Sequence, residues 1–279
     1  MLELKLTHAA VLRRIFDGLR EVVSDANIDI DATGLSLQAL DPNHVALVNM
    51  KLHESGFSLF RCDRPRAIGI HLGTITKAFK SCNSNDSVVI QCEDDREIIT
   101  FVFENIVEDR TMSFAVKLME TNQESISLPD TIDGHDAEII LGARELSNVF
   151  KHMREFSDTV KIEVSVNSVS FSTEGDVGRG EIVLKNRAPT SESDCGVSVK
   201  VRRNIKQSYA TKYLQMFAKS GSTNGVAVVR LGRNLPIEIM FYVRDNPSDS
   251  DVPDAPMLGE LRFFLAPKVN DESEEMKED

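Results

Sequence analysis

Residues 10–22, AVLRRIFDGLREV, return 134 positions later as residues 144–156, RELSNVFKHMREF. In both, apolar residues recur at the three- and four-residue spacing of one helix face: Leu12, Ile15, Phe16 and Leu19 in the first, Leu146, Val149, Phe150 and Met153 in the second. A second pair follows at nearly the same offset, ITKAF from Ile75 and ATKYL from Ala210, 135 residues on. The run EIITFVFE from Glu97 is likewise matched by PIEIMFYV from Pro236. The chain is an internal duplication, and each half carries two helices, placed by this spacing at roughly 8–22, 72–81, 142–156 and 207–219.

Between the helices the sequence alternates at period two. LELKL, GLSLQAL, VALVNMK, SVVIQC and TMSFAVKLM in the first half, and AEIIL, VKIEVSV, GEIVLK, GVSVKVR, VAVVRL and ELRFFL in the second, are rich in Val, Ile, Phe and Thr and broken by Gly, Asn, Asp and Pro. Such runs are strands, and their alternation predicts antiparallel sheets with one covered face. The fold class is α+β. The halves meet in METNQESISLPDTIDG (119–134), polar except for a small apolar centre at Ile126, Leu128 and Pro129. It reads as an extended linker between an N-terminal domain over 1–118 and a C-terminal domain over 135–270. DNPSDSDVPDAP (245–256) and the acidic tail over 271–279 have the composition of disorder.

The 279-residue chain has a formal net charge of −12. Spread evenly, that charge would argue against a polyanion ligand, but it is not spread evenly. The helical segments hold ten basic residues, Arg13, Arg14, Arg20, Lys77, Lys80, Arg144, Lys151, Arg154, Lys212 and Lys219, against four acids, so they carry +6 and the rest of the chain −18. Phase matters as much as count. At about 100° per residue, Arg13 and Arg20 point away from the Leu12, Ile15, Leu19 seam, Lys151 and Arg154 oppose Leu146, Val149 and Met153, and Lys212 and Lys219 are again seven apart. One such stripe is ordinarily a solvated face. Four that avoid acids in so acidic a chain point to a surface for a polyanion. No aromatic stacking platform or groove-reading run accompanies them, so the expected contact is with phosphates, without sequence preference, of the kind that permits sliding. Helices about 10 Å wide set side by side would need on the order of a dozen to circle a duplex. One chain supplies four, so encirclement takes about three copies.

Other classes find little support. No run is long and apolar enough to span a membrane, and MLELKLTHAA at the N-terminus alternates like a strand instead of reading as a signal peptide. Cys62, Cys82, Cys92 and Cys195 form no CxxC pair, which argues against a zinc ribbon or a disulfide framework and for a reducing compartment. The six histidines are dispersed, and no HExxH, GxxxxGK[ST] or GxSxG is present. No catalytic residue, metal or cofactor is therefore expected. GDVGRG from Gly175 reads as a hairpin bend, and Asp41 near His44 as a strand-end turn.

The duplicated helix pairs, together with LDPNHVALV (40–48), FRCDR (60–64), SLPD (127–130) and FFLAPK (263–268), resemble the eukaryotic sliding-clamp family, proliferating cell nuclear antigen, from residue 1 to about 269. The resemblance implies duplicated DNA-clamp domains in a closed homotrimeric ring around double-stranded DNA, with the basic helices lining the hole and the sheets outside. It implies a nuclear processivity factor for DNA polymerase in replication and repair, without catalysis of its own. The subunit contact would pair the strand 111–118, through Met112, Phe114 and Val116, with the strand 180–185, through Gly180, Ile182 and Leu184, of the next copy. That fits the need to cover edge strands and the ring made by a head-to-tail contact that closes. A pocket beneath the linker would take a short motif with apolar and aromatic anchors, the PIP box, from polymerase, clamp-loader, nuclease and ligase proteins. Its residues would be Leu40, His44, Val45, Leu47, Ile126, Leu128, Pro129, Pro236, Phe264, Ala266 and Pro267. Two departures stand out. The lysine that family members modify with ubiquitin aligns at Val166, with Lys161 nearest, and the 245–256 segment is longer than in the family. A subunit of the related heterotrimeric checkpoint clamp is the alternative, marked by assembly only with other subunits.

Overall fold

The period-two runs bury every second side chain: in β1 (Leu2–Leu6) the three leucines are buried and Glu3 and Lys5 between them are not. The structure, a computed structural model, describes residues 1–93, 97–120, 134–190, 194–221, 225–244 and 257–268. The first half continues with α1 (Ala9–Val22), β2 (Asp25–Asp31), β3 (Gly34–Leu40), β4 (Ala46–His53), β5 (Leu59–Cys62), β6 (Arg66–His71), α2 (Leu72–Phe79), β7 (Ser87–Cys92), β8 (Ile98–Asn105) and β9 (Arg110–Lys117). The second repeats that order element for element: β10 (Ala137–Gly142), α3 (Ala143–Phe156), β11 (Thr159–Ser165), β12 (Ser168–Gly175), β13 (Gly178–Lys185), β14 (Val197–Val201), β15 (Ile205–Ala210), α4 (Thr211–Gly221), β16 (Val226–Leu231), β17 (Ile237–Arg244) and β18 (Met257–Leu265). The helices fall where the apolar spacing predicts, with one correction. Residues 207–210 complete β15 instead of opening α4, because Ser208 and Tyr209 are buried and in register with Lys161 and Val160 of β11. GDVGRG is the expected hairpin bend: Gly175 and Gly178 pair, and Gly178 takes φ 137°, a region natural to glycine.

All strand pairs are antiparallel. In the first half β5-β1-β7-β8-β9 form one sheet, and β4-β3-β2-β6 run in the same order within another. In the second, β14-β10-β16-β17-β18 and β13-β12-β11-β15 reproduce the two orders. The buried helix faces fill the space between paired sheets: Leu12, Phe16 and Ile75 meet Leu4 and Phe101 from one sheet and Ile28 and Ile68 from the other around a void of about 20 Å³.

The repeat breaks at one joint. β18 pairs with β4, from Gly259 opposite Leu52 to Leu265 opposite Ala46, and fuses five strands of the second half with four of the first into one nine-stranded sheet. The equivalents of that pair, β9 and β13, each end a sheet with one edge unpaired. Burial records the difference. Leu261, Phe263, Val48 and Met50 at the joint are at most 1% exposed. Matched through the strand registers, their counterparts are Met112, Phe114, Gly180 and Ile182, all only half-buried.

α1 packs against α2 and α4, and α4 against α3. The helices therefore stand in one row, α2, α1, α4, α3, that crosses from one half to the other. α1 and α4 meet closely at its centre, where a Cβ on Gly18 of α1 would lie 2.5 Å from the Cβ of Ser220 on α4.

The opposite face of the nine-stranded sheet carries the side chains that alternate with the core ones, and here they form a ladder of alternating charge. Lys200 on β14 lies 3.3 Å from Glu138 on β10, which lies 3.0 Å from Arg230 on β16. Arg230 lies 3.3 Å from Glu238 on β17, and Glu238 lies 3.2 Å from Arg262 on β18. Glu238 is 1% exposed, so its carboxylate is the buried counter-charge of two arginines. Glu238→Ala is expected to cost about 3–5 kcal/mol, the usual penalty for stranding a buried partner. The check is the urea unfolding midpoint at unchanged slope; a loss within experimental scatter would mean that the ladder does not hold the sheet.

Candidate nucleic-acid interface and peptide pocket

All ten basic residues fall on the helix row, Lys80 one position beyond the last residue of α2. Arg20, Lys77, Lys80, Arg144, Lys151, Lys212 and Lys219 are exposed, and Arg13, Arg14 and Arg154 are half-buried. Burial pushes the Arg14 guanidinium below its ordinary pKa. Among the described residues, Lys77, Lys80, Arg144, Lys151 and Lys212 have no carboxylate partner. Three others are partly engaged, which corrects the picture of wholly bare stripes. Arg13 donates to the Cys82 carbonyl at 3.1 Å and lies 3.8 Å from Asp17. Arg20 donates to Thr76 Oγ1 at 3.4 Å, and Lys219 lies 3.7 Å from Glu21. These contacts tie α1 to its neighbours on both sides, so they brace the row as well as charge it. The start of α2 is fixed by His71, whose Nδ1 accepts the Thr74 N–H at 3.1 Å. That bond satisfies one of the donors a helix N-terminus leaves open.

The strands expected at a subunit contact, β9 and β13, each end a sheet with one edge unpaired. Met112 and Phe114 on β9 and Gly180, Ile182 and Leu184 on β13 are half-buried, and Val116 is buried. Val166 is 68% exposed in the turn between β11 and β12, and Lys161 is exposed on β11.

At the β18–β4 joint a cavity of about 370 Å³ brings together Leu40, His44, Val45, Leu47, Pro236, Phe264, Ala266 and Pro267, and adds Ala46, Asn234 and Leu235, which sequence reasoning missed. Ile126, Leu128 and Pro129 lie outside the described residues. Phe264 and Leu47 are register partners and alternate with the core residues Phe263 and Val48, so the cavity opens on the face turned away from the helix row. One wall is the turn from Asp41 to Ala46, with His44 at φ 56°. Backbone bonds from the Asp41 N–H to the Ala46 carbonyl at 2.9 Å and from the His44 N–H to the Asp41 carbonyl at 3.0 Å close it, and one carboxylate gathers its remaining donors. Asp41 Oδ1 accepts the N–H groups of Val45 and Ala46 at 2.8 and 2.7 Å, and Oδ2 accepts the Asn43 N–H at 3.1 Å and the Tyr213 hydroxyl of α4 at 2.6 Å. The expected strand-end turn is thus built, with Asp41 as its anchor.

Burial works to raise the Asp41 pKa, but the Tyr213 hydroxyl and the backbone donors of Ala46, Asn43 and Val45 outweigh it and hold the carboxyl below its ordinary value. A depressed folded pKa means that the anchor's contribution to stability is complete above the unfolded value, near pH 4, and is lost as pH falls through the folded one. The Val45 and Ala46 amide resonances should therefore titrate with a midpoint below about 4. A midpoint at or above that value would contradict the anchoring.

Among the described residues no three His, Cys, Asp or Glu side chains gather as a metal site, and no helix is long and apolar enough to cross a membrane. Two family models match the chain in series: proliferating cell nuclear antigen, N-terminal domain, over residues 1–126, and proliferating cell nuclear antigen, C-terminal domain, over residues 127–248. The chain is 46% identical over 272 residues to proliferating cell nuclear antigen 1 of Plasmodium falciparum, with 98% of each chain covered. It is 29% identical over 272 residues to proliferating cell nuclear antigen of Chaetomium thermophilum, covering 98% of this chain and 100% of that protein.

Proposed function

This chain belongs to the proliferating cell nuclear antigen family, whose members are DNA sliding clamps and polymerase processivity factors that act without catalysis, and we propose that three copies of it close head to tail into a ring around duplex DNA. The observation that carries this reading is the β18–β4 joint. Inside the chain it pairs two edges that recur, unpaired, as β9 and β13. Repeating the joint between copies gives β9 of one chain to β13 of the next, with Met112 opposite Ile182 and Phe114 opposite Gly180. An unpaired edge is a template for another strand, and a heterologous contact that closes makes a ring. Three copies supply a circle of on the order of a dozen helices, wide enough for a duplex.

In that ring Arg13, Arg14, Arg20, Lys77, Lys80, Arg144, Lys151, Arg154, Lys212 and Lys219 face the phosphates, with Lys77, Lys80, Arg144, Lys151 and Lys212 best placed because they are exposed and, among the described residues, neither paired with a carboxylate nor tied to another helix. The 370 Å³ cavity takes the short PIP-box motifs of polymerase, clamp-loader, nuclease and ligase proteins. The protein works in the nucleus. The chain divides into 1–118, a linker over 119–134, 135–270 and a tail over 271–279; the seam between the two matching family models at residues 126 and 127 falls inside the linker and supports its placing.

The test is the molar mass of the purified chain by light scattering at physiological salt. A mass near three times 31.1 kDa is expected. A monomer that assembles only with different chains would overturn the homotrimer and favour a heterotrimeric checkpoint clamp.

A further inference from the structure

Beside the apolar cavity lies a second one of about 380 Å³, bordered by Lys206, Arg233, Asn234 and Glu163. Asn234 borders both cavities. It sits at φ 62° in the tight turn that the Leu235 N–H closes onto the Gly232 carbonyl at 3.1 Å, so the turn stands between an apolar chamber and a polar one. Asp136 ties the backbone of two further arginines, outside the cavity lining, to that of Arg233. Its carbonyl accepts the N–H groups of Arg202 and Arg203 at 2.7 and 3.2 Å, and its carboxylate accepts the Arg233 N–H at 2.9 Å. Arg202, Arg203, Lys206 and Arg233 are all exposed. Among the described residues the acids bonded to them are Glu163, 3.3 Å from Lys206, and Asp136, already engaged by the Arg233 backbone, two acids against four cations. None of the four lies on the helix row. A chain of net charge −12 holds them next to its peptide pocket.

We propose that this basic chamber receives an acidic stretch of the same partner segment whose apolar anchors fill the adjoining pocket, and so selects partners that carry Asp or Glu beside their anchors. The inference rests on the peptide-pocket reading above. Guanidinium groups pair carboxylates with two parallel hydrogen bonds, and charges at the rim of an apolar contact act chiefly on specificity and on the rate of encounter.

The probe is a synthetic peptide with a run of apolar and aromatic anchors, made with neutral flanks, with a short run of glutamates on the amino side, or with the same run on the carboxyl side. Each is titrated into the full chain by fluorescence anisotropy at low and high salt. One acidic form should bind about tenfold more tightly than the neutral form at low salt, as expected of a few exposed ion pairs. That gain should vanish at high salt and in the combined variant Arg202→Ala, Arg203→Ala, Arg233→Ala, which keeps the backbone contacts to Asp136. The neutral peptide should bind wild type and variant alike. Absence of gain from either acidic form, or a gain that survives in the variant, overturns the proposal. So does a variant that binds all peptides normally and loses affinity for duplex DNA, which would assign the patch to phosphates. A neutral peptide that fails to bind wild type removes the pocket reading itself, and this proposal with it.

Discussion

Phe114→Ala is expected to convert the assembled clamp to monomers while the monomer keeps its fold. Phe114 stands on an unpaired edge, in the position that Phe263 occupies at the internal joint. Each ring leans on a phenylalanine of the neighbouring strand, Phe114 on Phe103 at 6.0 Å and Phe263 on Phe241 at 6.3 Å. Phe263 is fully buried, whereas Phe114 is only half-buried, and the difference is the surface that a second copy would cover. The residue opposite it in this pairing, Gly180, carries no side chain. A Cβ on Gly180 would meet nothing closer than Thr173, Phe156 and Met153 at 3.4 to 3.8 Å, and the Phe156 ring below is 38% exposed. Truncating a buried phenylalanine costs about 3–5 kcal/mol, which is more than about a hundredfold in each association constant. Light scattering at micromolar concentration should then report one chain. A variant that retains the threefold mass would refute the pairing of β9 with β13.

Reversing Lys77, Lys80, Arg144, Lys151 and Lys212 to glutamate should abolish polymerase stimulation at physiological salt and leave both the assembly and the unfolding midpoint nearly unchanged. These five are exposed and, among the described residues, bonded to no carboxylate, so folding loses little with them. Arg13, Arg20 and Lys219 are left alone because each also braces one helix against another. Every phosphate contact removed should flatten the dependence of log affinity on log salt by about 0.9, and reversal adds repulsion to that loss. The narrower pair Lys77→Glu, Lys80→Glu isolates α2 and should give a smaller change of the same sign. A salt slope identical to wild type would detach the helix row from DNA.

The duplication and the four helices were legible because each is a local period, 3.6 residues on the helices and two on the strands, written out twice. The start of α4 was misplaced for the same reason: Ser208 and Tyr209 fit a helical spacing, and only the partner strand β11 shows them to be sheet. The joint had no local signal, since Gly259 meets Leu52 across most of the chain. The charge ladder was hidden likewise, each partner lying on a different strand. Within the pocket, Leu40, His44 and Phe264 followed from family resemblance, while Asn234 and Leu235 did not. The Asn-Leu-Pro sequence at 234–236 carried a turn signal that could have placed them. The basic chamber was missed because charge was counted on helices alone, although VRRNIK (201–206) was in plain view.

The pairing of β18 with β4 also governs when the protein can finish folding. β4 leaves the ribosome early, but its partner is made after every other described element. Until β18 arrives, Leu47, Val48 and Met50 line an open edge. Strand pairing over such a separation is slow, and a nascent sheet edge invites the wrong neighbour. The nine residues of β18 therefore act as a latch closed only after every other described element has been made, and chains terminated upstream of Met257 should accumulate as aggregates rather than as smaller clamps.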